Sequence, residues 1–368
     1  MDFSLLRRDP DVTGPDLAAS DAADRLILDE AAAHLSGPVA VIDDGYGALA
    51  IGAALAGADP VRSHQDLITG ERALAANADR YGVAVQQSPF SADVVRGART
   101  VLLRLPRGLD RLAEVAALIA AHADPEVIVV AGGRIKHMSP TMNGVLGEVF
   151  ERVDVTHARQ KSRVLLARGP RPDVAAAQLP TWPRHERHDD LGLTIAAHGG
   201  VFAGTRLDVG TRFLLSVAGS AVPDASSAVD LACGNGVVAA ALATARPAIS
   251  VLATDRSAAA VASARATAAA NGVADRVRVE QADALETVSG GAAELILLNP
   301  PFHSDAALST GIARHLFADA ARALAPGGEL WCVWNSHLRY RPTLERTVGP
   351  TRQIARNAKF TVTASTKA

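Results

Sequence analysis

Cysteine is nearly absent from this chain: two in 368 residues, Cys233 and Cys332. Two thiols so far apart exclude a disulfide framework or a multi-cysteine zinc site and fit a reducing, cytoplasmic setting. Long apolar runs are missing too. The longest uncharged stretches, Leu191–Thr205 and Leu231–Ala245, are 15 residues each and contain glycine. A spanning helix needs about 20 mostly apolar residues, so no membrane protein is expected. The opening MDFSLLRRDP has acids and no apolar core behind its arginines, which argues against a secretory leader. Lysine is scarce, four of 37 basic residues, so arginine carries the positive charge; its fork suits phosphates and bases. No charge excess exists either: 37 basic against 39 acidic residues leaves a net of -2, which excludes indiscriminate binding to nucleic acid. The 11 histidines show no ligand-spaced grouping with acids on a helix, so no metal is expected. HERH at 185–188 reads as solvated.

What is present is ordinary for a folded chain: 48% apolar and 21% charged residues. The length suggests two or three domains. Gly169–Asp190, GPRPDVAAAQLPTWPRHERHDD, holds four prolines and no clean period; it reads as a linker between residues 1–168 and 191–368. Both halves alternate apolar strand-like runs with alanine-rich helices. The strands fall near 39–43, 100–105, 126–132 and 162–168, then near 227–232, 250–255, 276–283, 294–299, 329–334 and 359–365. Strands separated by helices imply α/β domains with a parallel sheet. The last pair lacks a long helix between its members and predicts an antiparallel edge. GYG at 45–47 and GNG at 234–236 each follow a strand and open a helix. Asp66 lies 21 residues after Gly45, and Asp255 lies 21 after Gly234. The shared spacing predicts two tandem, doubly wound (Rossmann-like) domains.

Val229–Val238, VDLACGNGVV, reads as strand, tight turn and helix. Gly234 and Gly236 let the backbone approach a ligand at the helix N-terminus. Asp255, ending the next strand, suits ribose hydroxyls, and Asp283 suits an adenine amine. An adenosine-containing cofactor is therefore expected; GxGxxG, the mark of NAD binding, is absent. The fourth strand ends in Asn299-Pro300-Pro301-Phe302-His303, at the sheet edge where ligands of doubly wound folds bind. Asn-Pro-Pro-aromatic at such a place resembles the signature of methyltransferases acting on planar nitrogen, and the resemblance implies an exocyclic amine as target. On a purine that amine is a poor nucleophile because its lone pair is delocalised. The Asn299 side-chain oxygen and the Pro300 carbonyl can accept its N–H bonds and favour the developing charge. The prolines stiffen the turn, and Phe302 can stack on a flat base. Such a base must leave its helical stack.

Asn-Pro-Pro-Phe at this place resembles the motif of S-adenosylmethionine-dependent methyltransferases acting on planar nitrogen. The stretch GGVFAGTRLDVGTRFLLSV (199–217), DLACGNGV and the tail NSHLRYRPTLERTVGPTRQIARNAKF widen the likeness. Together they resemble the ribosomal RNA guanine-N2 methyltransferases, of small-subunit (RsmC) and large-subunit (RlmG) types, the latter more closely. The resemblance implies tandem methyltransferase folds, the N-terminal one degenerate, and methylation of a guanine N2 amine in rRNA, with 23S preferred over 16S. It implies S-adenosyl-L-methionine as cofactor and rRNA, a ribosomal subunit or an assembly intermediate as partner. Carried over, Gly234, Asn235 and Gly236 bound the methionine part and Asp230 orients that loop or the cofactor amine. Asp255 holds the ribose and Asp283 the adenine. Asn299, Pro300, Pro301 and Phe302 form the catalytic turn, with Asn299 also bordering the cofactor. Arg206, Asp208 and Gly210 cover it. Ala232 stands where the family has glycine, which is harmless only at negative φ. Alternatives are another Asn-Pro-Pro-aromatic methyltransferase, acting on adenine N6 or protein glutamine, and a non-enzymatic RNA-binding protein.

The first half lacks this chemistry. Arg104-Leu105-Pro106-Arg107 replaces Asn-Pro-Pro-Phe, and an arginine only donates. Tyr46, between Gly45 and Gly47, would crowd a cofactor, and Asp43-Asp44 add charge. This domain reads as catalytically silent, a structural partner or an RNA grip. Arg104, Arg107, Arg111, Arg134, Lys136, Lys161 and Arg163 are candidates for phosphate contact. So are Arg339, Arg341, Arg346, Arg352, Arg356 and Lys359.

Overall fold

The structure, a computed structural model, describes residues 2–14, 17–301 and 306–368. The chain divides into two units, Met1–Trp182 and Pro183–Ala368. Strands of the first are β1 (Gly37–Ile42), β2 (Ala58–His64), β3 (Gln86–Gln87), β4 (Thr100–Arg104), β5 (Ile128–Arg134), β6 (Phe150–Val155) and β7 (Ser162–Pro170). The second has β8 (Arg184–His188), β9 (Leu193–Ala197), β10 (Ser227–Leu231), β11 (Ser250–Asp255), β12 (Val277–Gln281), β13 (Ala293–Leu298), β14 (Leu324–Asn335), β15 (Thr351–Arg356) and β16 (Phe360–Thr366).

Each unit is built on a seven-stranded sheet of the same order: β3-β2-β1-β4-β5-β7-β6 and β12-β11-β10-β13-β14-β16-β15. Five strands in each run parallel, and the last two form the expected antiparallel edge. The tandem α/β architecture read from spacing is the one observed. Central strands form because their apolar runs are covered on both faces. In the second sheet Leu295 and Leu297 of β13 share a face with Trp331 and Val333 of β14, packed with Leu214 in one core. Each such side chain contributes about 1.5–3 kcal/mol by leaving water. Helices start at polar caps: Asp21 and Asp24 form a capping box before Ala22–Ala31, and Ser257 caps Ala258–Ala270.

Residues 169–190 differ from the expected linker. Pro172 opens the helix Pro172–Gln178, whose Ala175 is buried in the first unit's core. HERH lies in β8, paired antiparallel to β9 in the second unit. Three of the four prolines sit where an element starts or ends: Pro170 closes β7, Pro172 is in the first helical turn, and Pro180 is in a short 3-10 turn. They punctuate structure without breaking it. Strand β2, ADPVRSH, was invisible to apolar patterning; its Arg62 reaches out to the carbonyls of Asp93 and Arg96.

Both sheets reverse strand order between their first and fourth long strands. In the second unit this switch lies between β10 and β13, so a crevice opens at their carboxyl ends. The loops after β10, β11, β12 and β13 all reach that rim.

Candidate active site

The loop after β10 is shaped by three left-handed residues, Ala232 (φ +57°), Gly234 (φ +55°) and Gly236 (φ +75°). A Cβ on Gly234 would meet nothing within 4 Å among the described residues, whereas one on Gly236 would lie 2.6–2.7 Å from Cβ and Cα of Ala264. Gly236 therefore lets the helix Ala258–Ala270 pack directly on the loop. Gly236→Ala should destabilise the second unit by about 2–4 kcal/mol, through overpacking and lost φ freedom; denaturant unfolding measures it. The position of Ala232 is the strained one, since a left-handed alanine costs about 1–2 kcal/mol. Part of that is offset by the lower unfolded-state entropy of alanine. Ala232→Gly should therefore stabilise by about 0.5–1 kcal/mol, read from the denaturation midpoint.

Two carboxylates hold the loop. Asp255 Oδ2 accepts from Gly234 N at 3.0 Å and its Oδ1 from Ser257 N at 2.9 Å. Both oxygens of Asp255 thus take part in holding the turn. Asp230, 3% exposed, accepts from Ala239 N at 3.0 Å inside the helix Val237–Ala245. Burial, with the charge of Asp255 adding to it, pushes its carboxyl well above the ordinary range. Asp230 thereby ties the end of β10 to the first turn of that helix, across the glycine loop. Burial also raises the Cys233 thiol well above its ordinary value, which leaves it inert.

Asn235 turns inward. Its Nδ2 donates to Gly204 O at 2.9 Å and its Oδ1 accepts from Val237 N at 3.3 Å. Its side chain ties the loop to the 199–217 segment, so only its backbone can face a ligand. Asp283, after β12, has Oδ1 3.3 Å from His315 Nε2; that hydrogen bond raises the imidazole above its usual value.

Asn299 follows β13, beside the glycine loop. Its Nδ2 donates to Asp208 Oδ2 at 3.1 Å and to Thr211 Oγ1 at 2.8 Å. Asp208 can only accept, so the amide orientation is fixed with nitrogen toward the acid. Asn299 Oδ1 is then left buried with no hydrogen-bond partner among the described residues. A bare buried acceptor is costly and waits for a donor. Asp208 is also the N-cap of the helix Val209–Ala218, accepting from Thr211 N at 2.9 Å. Asp208 thus orients Asn299 as well as capping the helix. Thr211 was not foreseen; a cap acid three residues before a threonine was its one sequence signal. Gly210 admits Phe360, whose ring a Cβ there would approach to 3.2 Å. Pro300 is buried and Pro301 exposed. Phe302 and His303 lie outside the described residues.

The corresponding rim of the first unit is filled. Asp43 (φ +58°) stands where Ala232 does, one residue past strands in equivalent register. Gly45 N donates to Gln65 Oε1 at 3.1 Å, as Gly234 does to Asp255. Gln65, and not Asp66, is therefore the counterpart of Asp255; the glycine loops match in length, and the stretch from each to the residue that grips it is one residue shorter in the first unit. Tyr46 donates to Asp11 at 2.6 Å and lies under Arg8. Asp44 accepts from Leu49 N and Ala50 N, and burial raises its carboxyl to about 7. Arg104, at the place of Asn299, pairs with Asp21 at 2.8 Å and with Asp24. Arg111 pairs with Asp43 and covers the Phe90 ring. Arg104 and Arg111 are each held by acids of their own domain, where a phosphate contact was expected. Arg352 is likewise held by Glu329 and Arg341 by Glu345. Arg107, Lys136, Lys161, Arg339, Arg356 and Lys359 remain exposed.

Residues 192–364 match the family model described as Methyltransferase small domain, and residues 2–171 match the RLMG N-terminal domain. The chain is 35% identical to the ribosomal RNA large subunit methyltransferase G of Streptomyces coelicolor, over 99% of this chain and 98% of that one. It is 34% identical to the protein of the same name from Pseudomonas aeruginosa, over 97% and 96%. Among solved structures it is similar to the T. thermophilus 16S rRNA N2 G1207 methyltransferase (RsmC) in complex with AdoMet and guanosine. That likeness has a TM-score of 0.75 at 20% identity, covering 95% of this chain and 92% of the other.

Proposed function

Since the chain belongs to the ribosomal RNA large subunit methyltransferase G family, we propose that it methylates the exocyclic N2 amine of a guanine in 23S rRNA. The observation that carries this reading is the bare, buried Oδ1 of Asn299, aimed by Asp208 and Thr211. S-adenosylmethionine is the cofactor and supplies an electrophilic methyl on a sulfonium. The residues present fit it. Among the described residues a Cβ on Gly234 would meet nothing within 4 Å, and Asp255 ends β11 with a carboxylate that suits ribose hydroxyls. Asp283 lies at the next strand end for the adenine amine.

The chain's own contribution is positioning and electrostatics. Asn299 Oδ1 accepts one N–H of the target amine and the Pro300 carbonyl accepts the other. Holding both hydrogens turns the nitrogen lone pair out of conjugation and toward the methyl. As the new C–N bond forms and the S–CH3 bond of the donor breaks, positive charge grows on nitrogen. Its N–H bonds strengthen toward both acceptors, and one of those protons then leaves to water. The acceptors therefore stabilise the transition state more than the ground state. Asp208 adds to this: its negative charge lies against the Asn299 amide nitrogen and polarises the amide oxygen further. Arg339, Arg356 and Lys359 are exposed at the same end of the sheet, where they suit phosphates flanking an extruded base.

The test is transfer of labelled methyl to ribosomal particles and naked rRNA from cells lacking the gene, beside a glutamine peptide. One N2-methylguanine in 23S rRNA is expected. Label confined to the peptide, to adenine or to 16S rRNA would overturn the assignment in part or whole.

A further inference from the structure

Among the described residues of the second unit, three side-chain atoms are buried without a hydrogen-bond partner: Thr254 Oγ1, Asn299 Oδ1 and Asn335 Oδ1. Two of them are amide oxygens on one rim. Leu298 pairs with Cys332, so Asn299 is level with Val333, and Asn335 stands one pleat beyond on the neighbouring strand. Residues two apart on a strand share a face. Asn335 therefore shares the face of Trp331 and Val333, the face on which Asn299 continues Leu295 and Leu297. A rise of about 3.3 Å per residue and a strand spacing of about 4.8 Å place the two Cα atoms roughly 8 Å apart. Two asparagines at that separation can converge on adjacent groups of one purine edge. Phe360, directly opposite Asn335 on β16, closes the far side, and Lys359 lies 5.3 Å from its ring centroid.

We infer that Asn335 is a specificity residue whose Oδ1 accepts the N1–H of the target base, beside the N2 amine held by Asn299. This deepens the proposed guanine reading and rests on it. In guanine, N1 is a donor flanked by the N2 amine; in adenine, and in 2,6-diaminopurine, N1 is an acceptor. An amide oxygen facing N1 therefore rewards guanine and opposes a lone pair with a lone pair in the others. A site built to take a hydrogen bond rejects the analogue lacking it far more strongly than an apolar wall would. The Asn335 amide nitrogen is then on hand to donate to O6.

The experiment titrates the full chain, loaded with S-adenosylhomocysteine, with guanosine and with 2,6-diaminopurine riboside. Both carry the 2-amino group, and only guanosine carries N1–H. Wild type should bind guanosine at least about tenfold more tightly. Asn335→Ala should bring the two within about twofold with cofactor affinity unchanged, and Asn335→Asp, which keeps an acceptor, should restore the preference. If the alanine variant fails to fold, Asn335→Leu keeps the volume without the acceptor and gives the same reading. A preference for guanosine that persists in the alanine or leucine variant overturns this inference alone. A wild type that binds cofactor and neither nucleoside overturns the guanine reading with it.

Discussion

Asn299→Ala should lower methyl transfer by about 100-fold or more, the usual scale for removing one group that stabilises developing charge, while S-adenosylmethionine affinity stays within about twofold. The asymmetry follows from geometry. Both amide hydrogens of Asn299 point at Asp208 and Thr211, inside the protein. The oxygen alone faces the rim, so what is lost is an acceptor for the base. Single-turnover rates at saturating cofactor, beside calorimetric cofactor binding, separate the two quantities. An equal loss of affinity and rate would mean that Asn299 serves the cofactor and not the base. Asp208→Ala is the companion case: it frees the amide to rotate, so it should depress the rate in the same direction and add little to Asn299→Ala.

The second large effect runs the other way. Asp255→Ala should weaken S-adenosylmethionine by about 10–100-fold, because hydrogen bonds to a charged group contribute about 1.5–3 kcal/mol. The rate at saturating cofactor should change far less. Asp255 both pins Gly234 N and holds its own turn through Ser257 N, so its loss loosens the loop as well as removing an acceptor. Asp255→Asn keeps an oxygen for Gly234 and should fall between. Cofactor affinity unchanged in the alanine variant would overturn the ribose assignment.

Much of the architecture was legible because its signals are local and periodic. The apolar strands β1, β4, β5, β10, β11, β13 and β14, the two glycine turns and Asn-Pro-Pro all stand at the rims where spacing put them. What escaped has a common cause: side chains whose partners are distant in sequence. Thr211 and Asp208 reach Asn299 across about ninety residues, and no spacing rule connects them. Strand β2 escaped because its register with β1 is held by backbone pairing while its side chains are mixed. The strand-end arginines were misjudged for the same reason. Charge and position suggested phosphate, but Arg104 and Arg111 find acids from the N-terminal helix and from the β1 loop. The prolines of 169–190 suggested a linker because proline marks boundaries, and a boundary can begin an element as well as end a domain.

The paired loops also bear on how a duplicated catalyst loses its chemistry. Asp43 and Ala232 keep the same backbone twist, and the glycine that follows each is gripped from the adjacent strand; the turn has outlived its use in one copy. What changed is what stands in front of it. Asp24 is a nearly inaccessible acid, its side chain 1% exposed, paired with Arg104. Reverting Arg104 to asparagine would strand this carboxylate, and removing one member of a buried pair costs about 3–5 kcal/mol. The arginine and its inaccessible acid therefore hold each other in place, and exchanging either one alone carries that cost.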